Sequence, residues 1–278
     1  MVRLVLIDLS GTLHVGKKAI PGSPAALERL EAWAKKNNCA IRFLSNTTKE
    51  SKSSLVSTLQ QLAFKTVRPD RVLTPLQAAK DTLSKVGSAN PICFLSDSAI
   101  AELGFDKHDG EHDGVIVGLH LSSFTYDKLN EAFRLLKNRN VPFVAAHRGR
   151  YYKDESDQLS MGPGAFVAAL EESSGRKAVT VGKPSVGFFQ AALQQAELEL
   201  GSKITPEEVV MVGDDVRDDI KGARDMGFKG VLVRTGKFKP EDEAGVEFCV
   251  PSFVEFVTGL EQGIFITKDS ASRSRSAL

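Results

Sequence analysis

A chain of 278 residues with 42% hydrophobic and 26% charged side chains has the balance of a globular fold and the length for two cores, which excludes a fibrous or wholly disordered polymer. Its 36 basic and 35 acidic residues leave a net charge of +1, so there is no electrostatic reason to expect nucleic acid or a membrane surface as partner. Cys39, Cys93 and Cys249 are odd in number, distant in sequence and set in apolar runs, and are expected as reduced thiols of a cytoplasmic protein.

The chain opens on an apolar strand at 2–7 with no charged leader, so no cleaved signal is expected, and no apolar stretch approaches the length of a membrane span. That strand runs into Asp8-Leu9-Ser10-Gly11-Thr12-Leu13. Ser23 as N-cap and Pro24 in the first turn predict a helix with Leu27, Leu30, Trp33 and Ala34 as its buried stripe. A strand at 40–44 ends at Ser45-Asn46, and Thr47 with Glu50 predicts a capping box opening a second helix that buries Leu55, Leu59 and Leu62. Thr74-Pro75 starts a third.

The middle of the chain repeats the alternation, with strands at 92–95, 115–119 and 142–146 and a helix at 126–136. The acidic run 106–113, bracketed by Gly104 and Gly110, reads as a solvated turn although it holds His108 and His112. After Gly162-Pro163-Gly164 come a helix, a strand ending at Gly182-Lys183-Pro184 and a helix at 188–198. Neither glycine cluster has the spacing of a nucleotide-binding loop. The most apolar strand, 209–212, ends in Gly213-Asp214-Asp215, and a short helix closed by Gly227 leads to a strand at 230–233. Strands and helices in this alternation make an α/β fold, a Rossmann-like parallel sheet covered by helices. Residues 268–278, rich in Ser and Arg, read as a disordered tail.

In open parallel sheets, ligands gather beyond the carboxyl ends of the strands, and Asp8, Ser45-Asn46, Lys183 and Asp214 all stand at such ends. Each residue type is common in turns by itself. Together they supply what phosphoryl transfer requires: a carboxylate to take the phosphoryl group, a hydroxyl and an amide to hold its oxygens, and a lysine to balance its charge. Asp8, the main-chain carbonyl of Ser10 and Asp214 form a set of hard oxygen ligands suited to Mg2+.

These motifs, with Asp219 completing the last, resemble those of the haloacid dehalogenase superfamily over nearly the whole chain. The runs beginning at Ser45 and at Arg150, together with Thr235-Gly236-Lys237, resemble more narrowly its nitrophenylphosphatase-like branch with a type IIA cap. The resemblance implies a catalytic core from residues 1–75 and 179–267 and an inserted α/β cap from 76–178. It also implies a magnesium-dependent phosphatase for small phosphorylated substrates, working through an aspartyl-phosphate on Asp8. Ser45 and Asn46 would bind phosphate, with Ser10 beside them; Lys183 would balance charge, Asp214 would hold metal with Asp8 and Ser10, and Asp219 would lie in the outer shell. Asp215 and Asp218 are expected as capping or solvated acids. His147, Arg148 and Arg150 fall where such enzymes select substrate, and the cap surface offers a place for two copies to pair.

The departure is Ser10. The family pattern has an aspartate there, which protonates the leaving group and then activates water. A serine keeps the backbone carbonyl but is a poor acid or base, and such help is worth roughly two to four powers of ten in rate. Good leaving groups, in aryl phosphates, pyrophosphate or phosphoramidates, are therefore expected to be favoured over alkyl phosphates. His14, in the same loop, is a candidate proton shuttle. The alternative is a phosphatase-derived binding protein with negligible turnover; a third reading transfers the phosphoryl group to an acceptor other than water.

Overall fold

The computed structural model describes residues 1–105, 110–153 and 158–265. Half of the expected acidic turn and all of the expected tail, 106–109 and 268–278, lie outside the described residues.

Six parallel strands form the larger sheet, in the spatial order Phe248–Val250, Lys229–Val233, Val209–Gly213, Leu4–Asp8, Ala40–Leu44, Val72–Leu73. Continuous apolar runs are what a parallel sheet covered on both faces needs, and every residue of the strands Leu4–Asp8 and Val209–Gly213 is buried. On one face the helices Ser23–Lys36 and Phe253–Glu261 pack Leu27, Leu30, Phe253 and Phe256 onto Val5, Ile7 and Val212. On the other, the helix Val186–Leu200 packs Phe188, Phe189 and Ala192 onto Leu4, Leu6 and Met211. Register decides the consequence. Ile7 lies opposite Val212 and Asp8 opposite Leu44, so Asp8, Ser45 and Asp214 leave the sheet side by side.

A second parallel sheet orders Val179–Thr180, Phe143–Ala145, Gly114–Val117 and Pro91–Phe94. The helices Tyr126–Asn138 and Gly164–Ser174 cover one face, where Phe124 stacks between Phe94 and Phe166; Pro75–Lys85 and Asp97–Leu103 cover the other. The two sheets meet beside the carboxyl end of the first, where the buried Thr48 hydroxyl accepts the Leu119 N–H at 2.7 Å.

Several local expectations are corrected. The first helix is capped at Gly22, whose φ of 80° suits glycine, and Ser23 lies inside the helix with its hydroxyl buried and unpartnered. The second begins at Lys52 with Ser51 as N-cap, because Ser45 and Thr48 are spent on loop and tertiary hydrogen bonds that outrank a local capping box at Thr47. Trp33 is half-buried at the edge of the core rather than within it. The hairpins His14–Val15/Lys18–Ala19 and Tyr151–Lys153/Leu159–Met161, and the final strand and helix of the larger sheet's layer, add to the expected elements.

All three cysteines are free, and burial pushes the Cys39 and Cys93 thiols up to about 12, which makes them unreactive. No described helix is long and apolar enough to cross a membrane.

Candidate active site

Asp8 ends its strand buried, and the loop after it folds back so that Leu13 N–H and His14 N–H both donate to Leu9 O, at 2.9 and 3.2 Å. The Asp8 carboxylate is held from two sides. Lys183 Nζ lies 2.6 Å from Oδ1, and the Thr12 hydroxyl donates to Oδ2 at 3.1 Å. Lys183 Nζ also donates to Asp219 Oδ1 at 2.7 Å and to Leu44 O at 2.8 Å, so all three ammonium protons have partners. Burial by itself would lower the pKa of this lysine, but the Asp219 and Asp8 carboxylates outweigh it and hold the ammonium charged.

The Asn46 carboxamide brackets the Lys183 peptide: Oδ1 accepts the Lys183 N–H at 2.9 Å, while Nδ2 donates to Lys183 O at 3.0 Å and to Asp218 Oδ2 at 3.1 Å. With both amide protons engaged, Asn46 fixes the lysine loop in this structure. Ser45 is buried beside it, its hydroxyl accepting Thr47 N–H at 3.1 Å.

Asp214 is 2% exposed, and its Oδ2 accepts the Lys237 N–H at 2.7 Å. The Thr235 hydroxyl donates to Gly11 O, so the loop after the strand Lys229–Val233 ties the Asp8 loop to the Asp214 loop. Gly236 lies between them at φ 61°, where a β-carbon would overlap the Asp214 carboxylate and Gly11 Cα. Lys237 Nζ reaches Asp215 Oδ2 at 3.0 Å, and Asp215 accepts the Arg217 and Asp218 N–H groups as a helix cap. Burial, then the charge of Asp8, pushes the Asp214 carboxyl up to about 7. Asp218, expected as a capping or solvated acid, is instead half-buried in the cavity wall, where burial and Asp215 push it up to about 6.

Asp8, Asp214 and Asp219 each offer an oxygen within 4.8 Å of the others. Hard carboxylate oxygens converging where negative charge is in excess fit a divalent cation such as Mg2+. Both Asp219 oxygens are already engaged, by Lys183 and by the Asp215 N–H at 3.2 Å, which keeps Asp219 behind the other two.

A cavity of about 310 Å³ opens from this cluster toward the second sheet, and Asp8, Ser10, Ser45, Asn46, His147, Lys183, Asp214 and Asp219 all line it. Ser10 is exposed to it. His14 also lines it; its Nδ1 is 2.8 Å from Gly16 O and its Nε2 is buried without a partner. Tyr152 adds an aromatic wall, its ring centre 3.7 Å from Lys49 Nζ. Arg148 and Arg150 line a smaller adjoining recess instead, with Arg217 and Asp242. The Arg148 guanidinium is committed to both oxygens of the buried Glu171 and to Thr180 Oγ1. Sequence reasoning assigned no role to Thr12, Thr48 or Lys237. Lys237 was discoverable by the criterion used for the others, since it too follows a strand of the parallel sheet.

The Haloacid dehalogenase-like hydrolase family model matches residues 5–105, and a HAD-hydrolase-like model matches residues 180–256. The chain is 43% identical over 244 residues to haloacid dehalogenase-like hydrolase domain-containing protein 2 of Rattus norvegicus, covering 87% of this chain and 88% of that one. It is 36% identical over 260 residues to phospholysine phosphohistidine inorganic pyrophosphate phosphatase of Homo sapiens, covering 91% of each. A solved 4-nitrophenylphosphatase from Thermotoga maritima shares the fold with a TM-score of 0.77 at 24% identity, over 92% of this chain and 97% of that one.

Two substitutions separate site from scaffold. Gly236→Ala should cost about 1–3 kcal/mol from its left-handed backbone alone and lower turnover at least about tenfold by displacing Asp214, measured by thermal unfolding and by phosphatase rate. Arg148→Met should destabilise by about 1–3 kcal/mol at neutral pH and change the rates on different substrates by one common factor. The Arg148 guanidinium holds the Glu171 carboxyl below its ordinary value, so this stabilisation is present above the unfolded carboxylate pKa and lost as pH falls through the folded one. Unfolding of Arg148→Met and wild type should therefore converge in acid.

Proposed function

The chain belongs to the haloacid dehalogenase-like hydrolases and is a phosphatase, and on that footing we propose that it hydrolyses small phosphorylated substrates with Mg2+ through an aspartyl-phosphate on Asp8. The observation that carries this reading is the Asp8 carboxylate at the cavity floor, gripped by Lys183 and Thr12. One Asp8 oxygen attacks phosphorus; the new P–O bond forms as the bond to the leaving group breaks, and that bond's electron pair departs with the leaving group. Lys183 offsets the charge that gathers around the carboxylate. Water then attacks the same phosphorus, its hydroxyl joining the phosphate and its other proton passing to solvent, and the Asp8 carboxylate is restored. Asp8, Asp214 and the Ser10 carbonyl would hold Mg2+, which would supply positive charge against the phosphoryl oxygens.

Residues 76–178 act in this reading as a cap over a core of 1–75 and 179–267, with the strand Val179–Thr180 paired into the cap's own sheet, and close the cavity that His147, Tyr151 and Tyr152 line. Closure would exclude water from the first step. The preference falls on good leaving groups because Ser10 supplies no useful acid. The names of two similar proteins, a phospholysine, phosphohistidine and pyrophosphate phosphatase and a 4-nitrophenylphosphatase, point to the same classes of bond.

The test is a magnesium-dependent assay on 4-nitrophenyl phosphate, pyrophosphate and an alkyl phosphate. Asp8→Asn should lose at least about a thousandfold on every substrate. Ser10→Asp should raise the alkyl rate about a hundredfold and move the other two by less than about tenfold. A uniform gain would remove the leaving-group account, and wild-type protein inert on all three would favour the binding reading.

A further inference from the structure

His147 follows the strand Phe143–Ala145, is 8% exposed, and shares the cavity wall with Asp8, Ser10 and Lys183. Its Nδ1 accepts the Gly149 N–H at 3.2 Å. A β-carbon on Gly149 would stand 3.0 Å from Nδ1 and 3.2 Å from Cε1, so this edge of the ring is seated on backbone. A ring nitrogen that accepts a hydrogen bond carries no proton, and the neutral imidazole then bears its one N–H at Nε2. Among the described residues no hydrogen bond is seen at that Nε2, and His147 lines the cavity. His14 is built the opposite way. Its Nδ1 faces a carbonyl and so carries a proton, and its Nε2 is buried without a partner.

The surroundings keep His147 from taking a second proton. Burial, then Lys237, Lys183 and Lys49, push its pKa down to about 3. Asp8, Asp214, Asp215, Asp218 and Asp219 face the same cavity, but the first and last are engaged by Lys183, and Lys237 answers Asp214 and Asp215. A histidine in this state cannot act as an ordinary general acid, yet it presents a fixed N–H dipole that needs no reorganisation.

Resting on the phosphatase reading above, we propose that His147 is a catalytic residue that donates a hydrogen bond from Nε2–H to the leaving atom without giving up its proton. As Asp8 oxygen bonds to phosphorus, the P–O bond to the leaving group breaks and its electron pair settles on the leaving oxygen. The His147 N–H stabilises that anion, which departs as phenolate or phosphate and takes any proton it needs from solvent. The substrates assisted are therefore aryl phosphates and phosphoanhydrides. A phosphoramidate whose nitrogen is already protonated at neutral pH offers no lone pair to the N–H and gains nothing from it.

The experiment compares wild type, His147→Leu and His147→Gln with magnesium on phenyl phosphate, 4-nitrophenyl phosphate and phosphoramidate. His147→Leu should lose about a hundredfold on phenyl phosphate, less than about tenfold on 4-nitrophenyl phosphate, and nothing on phosphoramidate. His147→Gln, which keeps an N–H donor, should stay within about tenfold of wild type throughout. Long-range nitrogen–proton NMR, assigned against His147→Gln, should show the neutral Nε2–H ring from about pH 8 to about pH 5. Equal losses on all three substrates, a glutamine variant as impaired as leucine, or a ring protonated at neutral pH would overturn the proposal alone. Wild-type protein without Asp8-dependent turnover would overturn the phosphatase reading and this proposal with it.

Discussion

The ammonium of Lys183, buried between Asp8 and Asp219 at 2.6 and 2.7 Å, is the interaction on which the rest of the site depends. Taking these charges out of water costs several kcal/mol for each, and such a cost is offset only when every proton and lone pair finds a partner. Three separate loops must therefore arrive together. The sheet achieves this by register: Leu4–Asp8 lies between Ala40–Leu44 and Val209–Gly213, so Asp8, the Leu44 carbonyl and the acidic turn that carries Asp219 come off one edge. Asn46 then clamps the lysine's own peptide, and the Thr235–Lys237 loop binds the turn after Asp8 to Asp214.

The same construction leaves the site short of positive charge. Asp8, Glu50, Asp214, Asp215, Asp218 and Asp219 line one cavity with Lys17, Lys49, Lys183 and Lys237, where Lys183 pairs with Asp8 and Asp219 and Lys237 with Asp215. Burial, and after it the charge of Asp8, pushes the Asp214 carboxyl up, and a divalent cation would relieve the second of these. Ser10 does not disturb this arrangement, because a serine backbone carbonyl is as good an oxygen donor as that of aspartate. In the proposed reaction, what it removes is proton transfer to the leaving group. The cavity also holds two histidines whose Nδ1 atoms are set in opposite roles, His14 toward the Gly16 carbonyl and His147 toward the Gly149 N–H.

The parallel sheet and the approach of Asp8, Ser45, Lys183 and Asp214 were legible because strand ends are marked by apolar runs stopping at polar residues. What was not legible depended on contacts between distant segments. Thr47 and Glu50 carry a sound capping pattern, but Thr48 is drawn to Leu119 and the helix waits for Ser51. Arg148 and His147 are neighbours and looked alike as substrate contacts; Glu171, from a helix more than twenty residues later, takes the arginine, while the histidine keeps the cavity. The short hairpins have too few residues for periodicity to register, and packing against the rest of the molecule defines them.

The central claim is that Asp8 carries the phosphoryl group. Mixing the protein with magnesium and 4-nitrophenyl phosphate, quenching in acid during turnover, reducing with borohydride and mapping the peptides by mass spectrometry tests it directly. The account predicts conversion of Asp8 to homoserine, dependent on substrate and absent from Asp8→Asn. Turnover with Asp8 unmodified and the phosphoryl group found on another side chain would contradict it.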